Sequence, residues 1–490
     1  MTSLPDVLAA IDHDASAEAG GRFVTLVADY FARAAAGDGP VSTPHTAGAI
    51  AERFAEPLPR TGGGLDEVMA RLAADVLPDV NRLYHPMALG HQVSPPLPAA
   101  VWTEALTAAL NQSTAVWEMS PVATVLEHQV VRWMADLVGF GAAAGGTLTS
   151  GGTEATLAAL LAARAHALPD AWRDGVGAEP PVVLCGEHAH YAVARAVGQM
   201  GLGTRQLVTV PSHEWRMDVA QLAAALDAQR AAERRVMAVV ATAGSTATGS
   251  FDDLERIADL CDAHDVWLHV DGAHGASALL SAAHRHRVRG LARARSLAWD
   301  PHKMMLLPLA AGMVLLRDGA DLERAFAQRA PYLFHAPSEG EDAPRVWDLG
   351  LRSFQCSRRA DVLKLWVALH RYGADGIGAL YAHLCETAAR LHARLAARDD
   401  FEAIHAPEGN ILCFRWAGAG VPADEAQADA LTQRLRDRYN QSGAGWITTT
   451  LLDGRRVLRV TVMNPRTTDA HLAALVDGLA ETARRLVAAM

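Results

Sequence analysis

The chain has 490 residues, half of them apolar, and a net charge of -11 with no acidic or basic tail. This size predicts one large α/β body with appendages, or about three units, and the lack of a basic patch argues against nucleic-acid binding. The five cysteines (Cys185, Cys261, Cys356, Cys385 and Cys413) are odd in number and include no CxxC pair, which argues against a disulfide framework or zinc cluster and for a cytoplasmic protein.

Residues 1–95 carry helical patterns broken by loops such as DGPVSTPHT and RTGGG, and predict an N-terminal helical segment. The first residues lack the basic stretch of a secretory signal. From 96 to 375, short β-like runs alternate with helical patterns. The runs are PVVLC (181–185), QLVTV (206–210), VMAVVATAG (236–244), VWLHVDG (266–272), RSLAWD (295–300) and AGMVLLR (311–317). Apolar strands alternating with helices such as 155–167 and 254–264 predict a mostly parallel sheet covered on both faces, a large ligand-binding domain. Ligands of such sheets gather at the carboxyl ends of the strands. Residues 376–490 mix helices and strands as a small α+β domain, closed by a helical stripe of Leu472, Leu475, Val476, Leu479, Ala483, Leu486 and Val487 that reads as core. The longest apolar run, Met304 to Leu316, is too short to span a bilayer and contains Pro308, so no membrane association is expected.

Three segments could carry chemistry. In Thr149-Ser150-Gly151-Gly152-Thr153-Glu154 the glycines allow close backbone approach, Thr153 can cap the helix that follows, and a helix N-terminus suits a phosphate. In Trp267-Leu-His-Val-Asp271 an apolar strand ends in a carboxylate, which needs a cation or several hydrogen-bond donors if buried. In Trp299-Asp300-Pro-His302-Lys303 a lysine follows the next strand. Only two of the 44 basic residues are lysines, Lys303 and Lys364. Arginine can serve as a solvated cation but cannot form a Schiff base, whereas a lysine among apolar groups can. Lys364 lies on a helical pattern away from any strand end. His188 and His190 have no cysteine or acid at ligand spacing, so no metal site is expected.

These segments, with WEMSPVATVLE (117–127), TSGGTEATLAALLAAR (149–164), HAHYAVARA (188–196), GSTATGSFDDLERIADLC (244–261), WLHVDGAHGAS (267–277), LAWDPHKM (297–304), YLFH (332–335) and QCSRRADVLKLW (355–366), occur in one order along the chain. In that order the chain resembles the group II pyridoxal-phosphate (PLP) decarboxylases, which act on aromatic amino acids, glutamate, cysteine sulfinate or diaminobutyrate. The resemblance covers about residues 80–470. It implies the PLP-dependent transferase fold type I, with PLP as cofactor and a homodimer with shared active sites as the assembly.

The resemblance also implies roles. Lys303 would carry PLP as a Schiff base, and Asp271 would keep the pyridine nitrogen protonated. His190 would stack on the ring. Gly152, Thr153 and His302 would hold the phosphate, and Thr246 and Ala273 would touch the cofactor. Tyr332 would protonate Cα after CO2 leaves, from a loop (HAPSEGEDAP, 335–344) suited to closing over the site. Arg459 would pair with the substrate carboxylate, and Gln92 is a further substrate-facing candidate. Asp300 replaces an asparagine of several relatives near the phosphate, and His274 replaces an aromatic residue; the role of each is open. The implied reaction is decarboxylation of an L-amino acid to its amine, leaning to polar or acidic substrates such as glutamate, aspartate and cysteine sulfinate. The alternatives are an aromatic or diaminobutyrate decarboxylase, a decarboxylation-dependent aldehyde synthase, and a pseudoenzyme that keeps the fold.

Overall fold

The computed structural model describes residues 3–326, 330, 332–334 and 347–490. Two compact units emerge. One comprises residues 92–388 with 407–411, and the other residues 1–91, 389–406 and 412–490.

The larger unit is built on a seven-stranded sheet. In spatial order its strands are Gly145–Thr149, Gly312–Leu316, Ser296–Trp299, Trp267–Asp271, Val236–Thr242, Val182–Gly186 and Leu207–Val210. The five strands from Ser296–Trp299 to Leu207–Val210 run parallel, and Gly312–Leu316 is antiparallel to both its neighbours. All six strands expected from sequence are present. The seventh, Gly145–Thr149, reads GGTLT; its two glycines and two threonines give no apolar run, so the sequence reading passes over it.

Successive strand residues face opposite sides of a sheet. Val183, Cys185, Ala238, Val240, Trp267, Ala298 and Val314 form one face and pack on the alanine-rich helix Gly152–Ala167 through Ala155, Ala159 and Ala163. Small side chains let this helix lie close to the strands. The alternating residues Leu184, Val239, Val270 and Leu297 are equally buried on the other face. Burial on both sides explains why these strands read as continuous apolar runs.

In the other unit, helices Leu4–Asp14, Ala17–Ala35 and Ala47–Arg53 start at Ser3, Ser16 and Thr46, whose hydroxyls accept backbone N–H groups as N-caps. The N-terminal segment shares this unit with the C-terminal region. The amide of Val41 donates to the Gly443 carbonyl (3.0 Å), and that of Leu89 to the Trp446 carbonyl (2.8 Å). A four-stranded sheet, ordered Phe401–Ala403, Ile411–Trp416, Arg455–Thr461, Thr448–Leu452, accompanies the closing helix Asp469–Ala488. That helix buries Leu472, Leu475, Val476, Leu479, Ala483 and Leu486, as its periodicity predicts. Among the described residues no helix is long and apolar enough to cross a membrane.

Candidate active site

In the larger unit, a cavity of about 330 Å³ opens where the parallel strands end. Each wall follows from a strand terminus. Trp267–Asp271 ends in Asp271, which is buried, and its Oδ1 accepts the backbone N–H of Ala273 at 3.1 Å. The Ala273 carbonyl accepts the amide of Asp300 at 3.1 Å, just past the end of Ser296–Trp299. One short relay of backbone bonds therefore fixes both carboxylates. Two and three residues further, His302 and Lys303 complete that wall.

The amine of Lys303 reaches Asp300 Oδ2 at 3.1 Å, and His302 Nε2 lies 3.5 Å from the same oxygen. His302 is held on both sides. Its Nδ1 accepts the amide of Ala311 (3.0 Å), its own amide donates to the Ala311 carbonyl (3.1 Å), and its carbonyl accepts from Ser94 Oγ (3.2 Å). Burial holds the His302 imidazole below its ordinary pKa, against the opposing pull of Asp300.

Across the cavity, His190 follows the strand Val182–Gly186. Its Nδ1 accepts the Ala192 amide at 3.2 Å, and its ring lies 4.2 Å from that of Tyr191. Burial lowers its pKa as well, with Asp271 acting in the opposite sense and Lys303 in the same one. Thr246 lines the cavity from the loop after Val236–Thr242.

The glycine-rich segment forms the remaining wall. Helix Gly152–Ala167 begins with Gly151 as N-cap, and no side chain caps it. The expected cap by Thr153 is therefore corrected: Thr153 falls in the first turn, past the position from which a hydroxyl can cap. The acid at Glu154 instead accepts from the Ser150 amide (2.8 Å) and hydroxyl (2.6 Å), bracing the turn. Gly152 is required by space. A Cβ there would sit 2.9 Å from the Ala273 Cβ and 3.0 Å from Asp300 Oδ2.

Eight residues expected at a cofactor site thus line one cavity: Lys303, Asp271, Ala273, His190, Gly152, Thr153, Thr246 and His302. Asp300 and His274 line it too; the His274 Nε2 lies 2.7 Å from Asn410 Oδ1. Sequence reasoning did not single out Ser150, Thr242 or Gly244, also on the wall. Gly244 carried a usable signal, a glycine directly after a buried strand. It has φ +81°, and a Cβ on it would meet the Gly275 backbone at 2.9 Å.

The other three candidates are not among the residues that line this cavity. Tyr332 is 82% exposed, and the loop 335–344 lies outside the described residues. Gln92 is half-buried, and its Nε2 has no hydrogen-bond partner among the described residues. Arg459 belongs to the other unit, buried on the strand Arg455–Thr461, where burial lowers its pKa.

Lys364 has a different setting from Lys303. Its side chain is 1% exposed and is held by the Glu104 carboxylate, by Asp361 Oδ1 (3.1 Å) and by the Ala310 carbonyl (2.6 Å). It is committed to the fold, and Lys303 is the lysine that faces the cavity.

This donor set fits pyridoxal phosphate. A cavity-facing amine suits the aldehyde, and a buried carboxylate suits a protonated pyridine nitrogen. An uncapped helix N-terminus crowded against Ala273 and Asp300 offers free N–H groups to a phosphate. Among the described residues no group of three or more His, Cys, Asp or Glu side chains is arranged to hold a metal ion.

Comparison with known proteins agrees. Residues 60–417 match the family described as "Pyridoxal-dependent decarboxylase conserved domain". The L-2,4-diaminobutyrate decarboxylase of Rhizobium meliloti (strain 1021) is 36% identical over 435 residues, covering 88% of this chain and 84% of the relative. The enzyme of the same name from Acinetobacter baumannii is 29% identical over 442 residues, covering 87% and 86%. The crystal structure of mouse CSAD superposes with a TM-score of 0.89 at 27% identity, covering 98% of this chain and 99% of that one. The chain belongs to the pyridoxal-dependent decarboxylase family and is a PLP-dependent amino-acid decarboxylase.

Proposed function

We propose that the chain decarboxylates L-2,4-diaminobutyrate to its amine and CO2, with Lys303 as the cofactor-binding lysine. The observation that carries the site reading is that Lys303 and Asp271 line one cavity at the carboxyl ends of adjacent parallel strands. The substrate reading draws on the two relatives above, which share a polar substrate with a cationic side chain. It takes up diaminobutyrate, an alternative in the sequence reading, in place of the acidic substrates to which that reading leaned.

PLP, when bound, supplies the electron sink for the electrons left at Cα as CO2 departs. The protein's part is to hold, orient and move protons. Lys303 Nζ would hold the cofactor at its aldehyde carbon. Asp271 would keep a proton on the pyridine nitrogen, and its bond from the Ala273 amide fixes the carboxylate for that task. His190, depressed in pKa by burial, would bound the ring. The Gly152 and Thr153 amides and His302 would hold the phosphate, and Thr246 and Ala273 would bound the cofactor. The Tyr332 hydroxyl delivers a proton to Cα, a role that requires it to leave the exposed position described above. Arg459 pairs with the substrate carboxylate, and Gln92 offers its unpartnered amide to the substrate. The working assembly is a homodimer with shared sites, checked by sedimentation.

The test is a panel of L-amino acids: 2,4-diaminobutyrate, aspartate, glutamate, cysteine sulfinate and the aromatic acids. CO2, amine, aldehyde and keto acid are measured for each. The highest kcat/KM is expected with diaminobutyrate, and amine as product. A preference of about tenfold or more for an acidic or aromatic substrate overturns the substrate assignment, and aldehyde as main product overturns the reaction.

A further inference from the structure

We infer that the buried ion pair of Glu127 and Arg358, assisted by Gln355, positions the turn 149–152 that receives the cofactor's phosphate. This rests on the reading above that the Gly152 and Thr153 amides hold that phosphate. The strand leading into the turn, Gly145–Thr149, lies at one end of the seven-stranded sheet, beside Gly312–Leu316. An edge strand presents backbone N–H and C=O groups that no further strand takes up. At Leu148 the ion pair stands in for that strand. Glu127 Oε1 accepts the Leu148 amide at 2.9 Å, and Arg358 Nη1 donates to the Leu148 carbonyl at 2.9 Å. The same two side-chain atoms meet at 2.8 Å, and Glu127 Oε1 also accepts the Thr147 hydroxyl at 3.0 Å. Glu127 comes from the helix Pro121–Val138. The two side chains are 1% and 5% exposed.

A second tie comes from the same segment as Arg358. Gln355 Nε2 donates to Glu154 Oε2 at 2.9 Å, the oxygen that also accepts the Ser150 amide and hydroxyl. The Thr149 hydroxyl closes the turn by donating to the Gly151 carbonyl at 3.2 Å. The opposite side of the turn has little slack. A Cβ on Gly312 would lie 2.5 Å from the Gly151 Cα, and one on Gly151 would lie 3.1 Å from His302 Cε1. Relative to apolar side chains of like volume, a buried ion pair adds little to stability. Apolar side chains, however, cannot bond both backbone groups of Leu148 and so fix where the strand delivers its glycines. Hydrogen bonds weaken steeply away from their preferred distance and angle, so a turn that drifts loses its hold on a phosphate first. Asp271 and Lys303 follow other strands and keep their places.

The test compares PLP with pyridoxal, which carries the same ring and aldehyde and no phosphate. Cofactor-free, full-length wild type, Arg358→Met and Gln355→Leu are each titrated with both compounds by visible absorbance. Thermal unfolding first sets a temperature at which each protein is folded. The readout is the ratio of the two affinities, because a general loosening of the fold weakens both compounds alike. Arg358→Met is expected to lower the preference for PLP by about tenfold or more. Gln355→Leu removes a half-buried side chain, leaves the ion pair intact, and should lower the preference by about threefold. Pyridoxal affinity should stay within about twofold of wild type in both. A wild-type ratio in Gln355→Leu, and in Arg358→Met if that variant folds, overturns the inference. Wild type that binds pyridoxal as tightly as PLP instead sinks the phosphate reading on which it rests.

Discussion

The two lysines should fail in different ways. Lys364→Met preserves length and removes the charge. It leaves the Ala310 carbonyl without its donor, Asp361 without its 3.1 Å partner, and Glu104 with Arg359 alone. Removing one member of a fully buried pair costs about 3–5 kcal/mol. Here the two carboxylates remain 21% and 22% exposed, so water recovers part of that, and about 2–4 kcal/mol is expected. Lys303→Ala differs at the cofactor. It also costs stability, because it leaves Asp300, 2% exposed, without its 3.1 Å partner, but it abolishes covalent PLP, which Lys364→Met should leave in place. The assay is a urea denaturation midpoint for each variant, paired with borohydride reduction and mass analysis of the retained cofactor. If Lys364→Met loses the covalent cofactor at unaltered stability, or Lys303→Ala still retains it, the division of labour drawn here is wrong.

Other outcomes follow from the same geometry. Gly152→Ala forces a methyl to within 3.0 Å of Ala273 and Asp300, both tied to backbone; PLP affinity should fall by about tenfold or more, read by absorbance titration, with a stability loss of about 1–3 kcal/mol. His269 is fully buried, with Nδ1 2.9 Å from Ser296 Oγ, and burial pushes its pKa down from 6.5 to about 4. A depressed folded pKa means the neutral form stabilises the fold above the unfolded value, and this contribution is lost as pH falls from about 6.5 toward 4, on the order of 3 kcal/mol. His269→Asn should flatten stability over that window, and an unchanged slope in denaturation midpoints against pH would remove His269 as the cause. Tyr332→Phe should divert product from amine toward aldehyde and ammonia, and undiminished amine output removes Tyr332 from the proton-transfer step.

The sheet was largely legible because the five strands from Gly312–Leu316 to Val182–Gly186 are buried on both faces, which writes an unbroken apolar run into the sequence. Gly145–Thr149 was not, because an edge strand under a helix tolerates glycine and threonine. At the site, Asp271 and Lys303 were readable as polar residues ending apolar strands. Gly152 was readable as a flexible position, but its reason, the closeness of Ala273 and Asp300, depends on residues more than a hundred positions away. The ion pair between Asp300 and Lys303 was also hidden. Spacing of three suggests proximity, yet only the turn made by the Lys303 amide to the Asp300 carbonyl brings the side chains together. Arg459 and Tyr332 rest on likeness to the family, since neither lies on the described cavity wall.

The burial of Lys364 has a practical consequence for handling this protein. In a chain whose other basic residues are arginines, side-chain amine chemistry has one reachable address, and it is Lys303. Among side-chain amines, reagents such as dyes, biotin esters or aldehyde-activated supports should therefore reach Lys303, and reaction there should inactivate the enzyme. Bound PLP should protect against them. Attachment through Cys356, the exposed thiol, is the route that leaves Lys303 untouched.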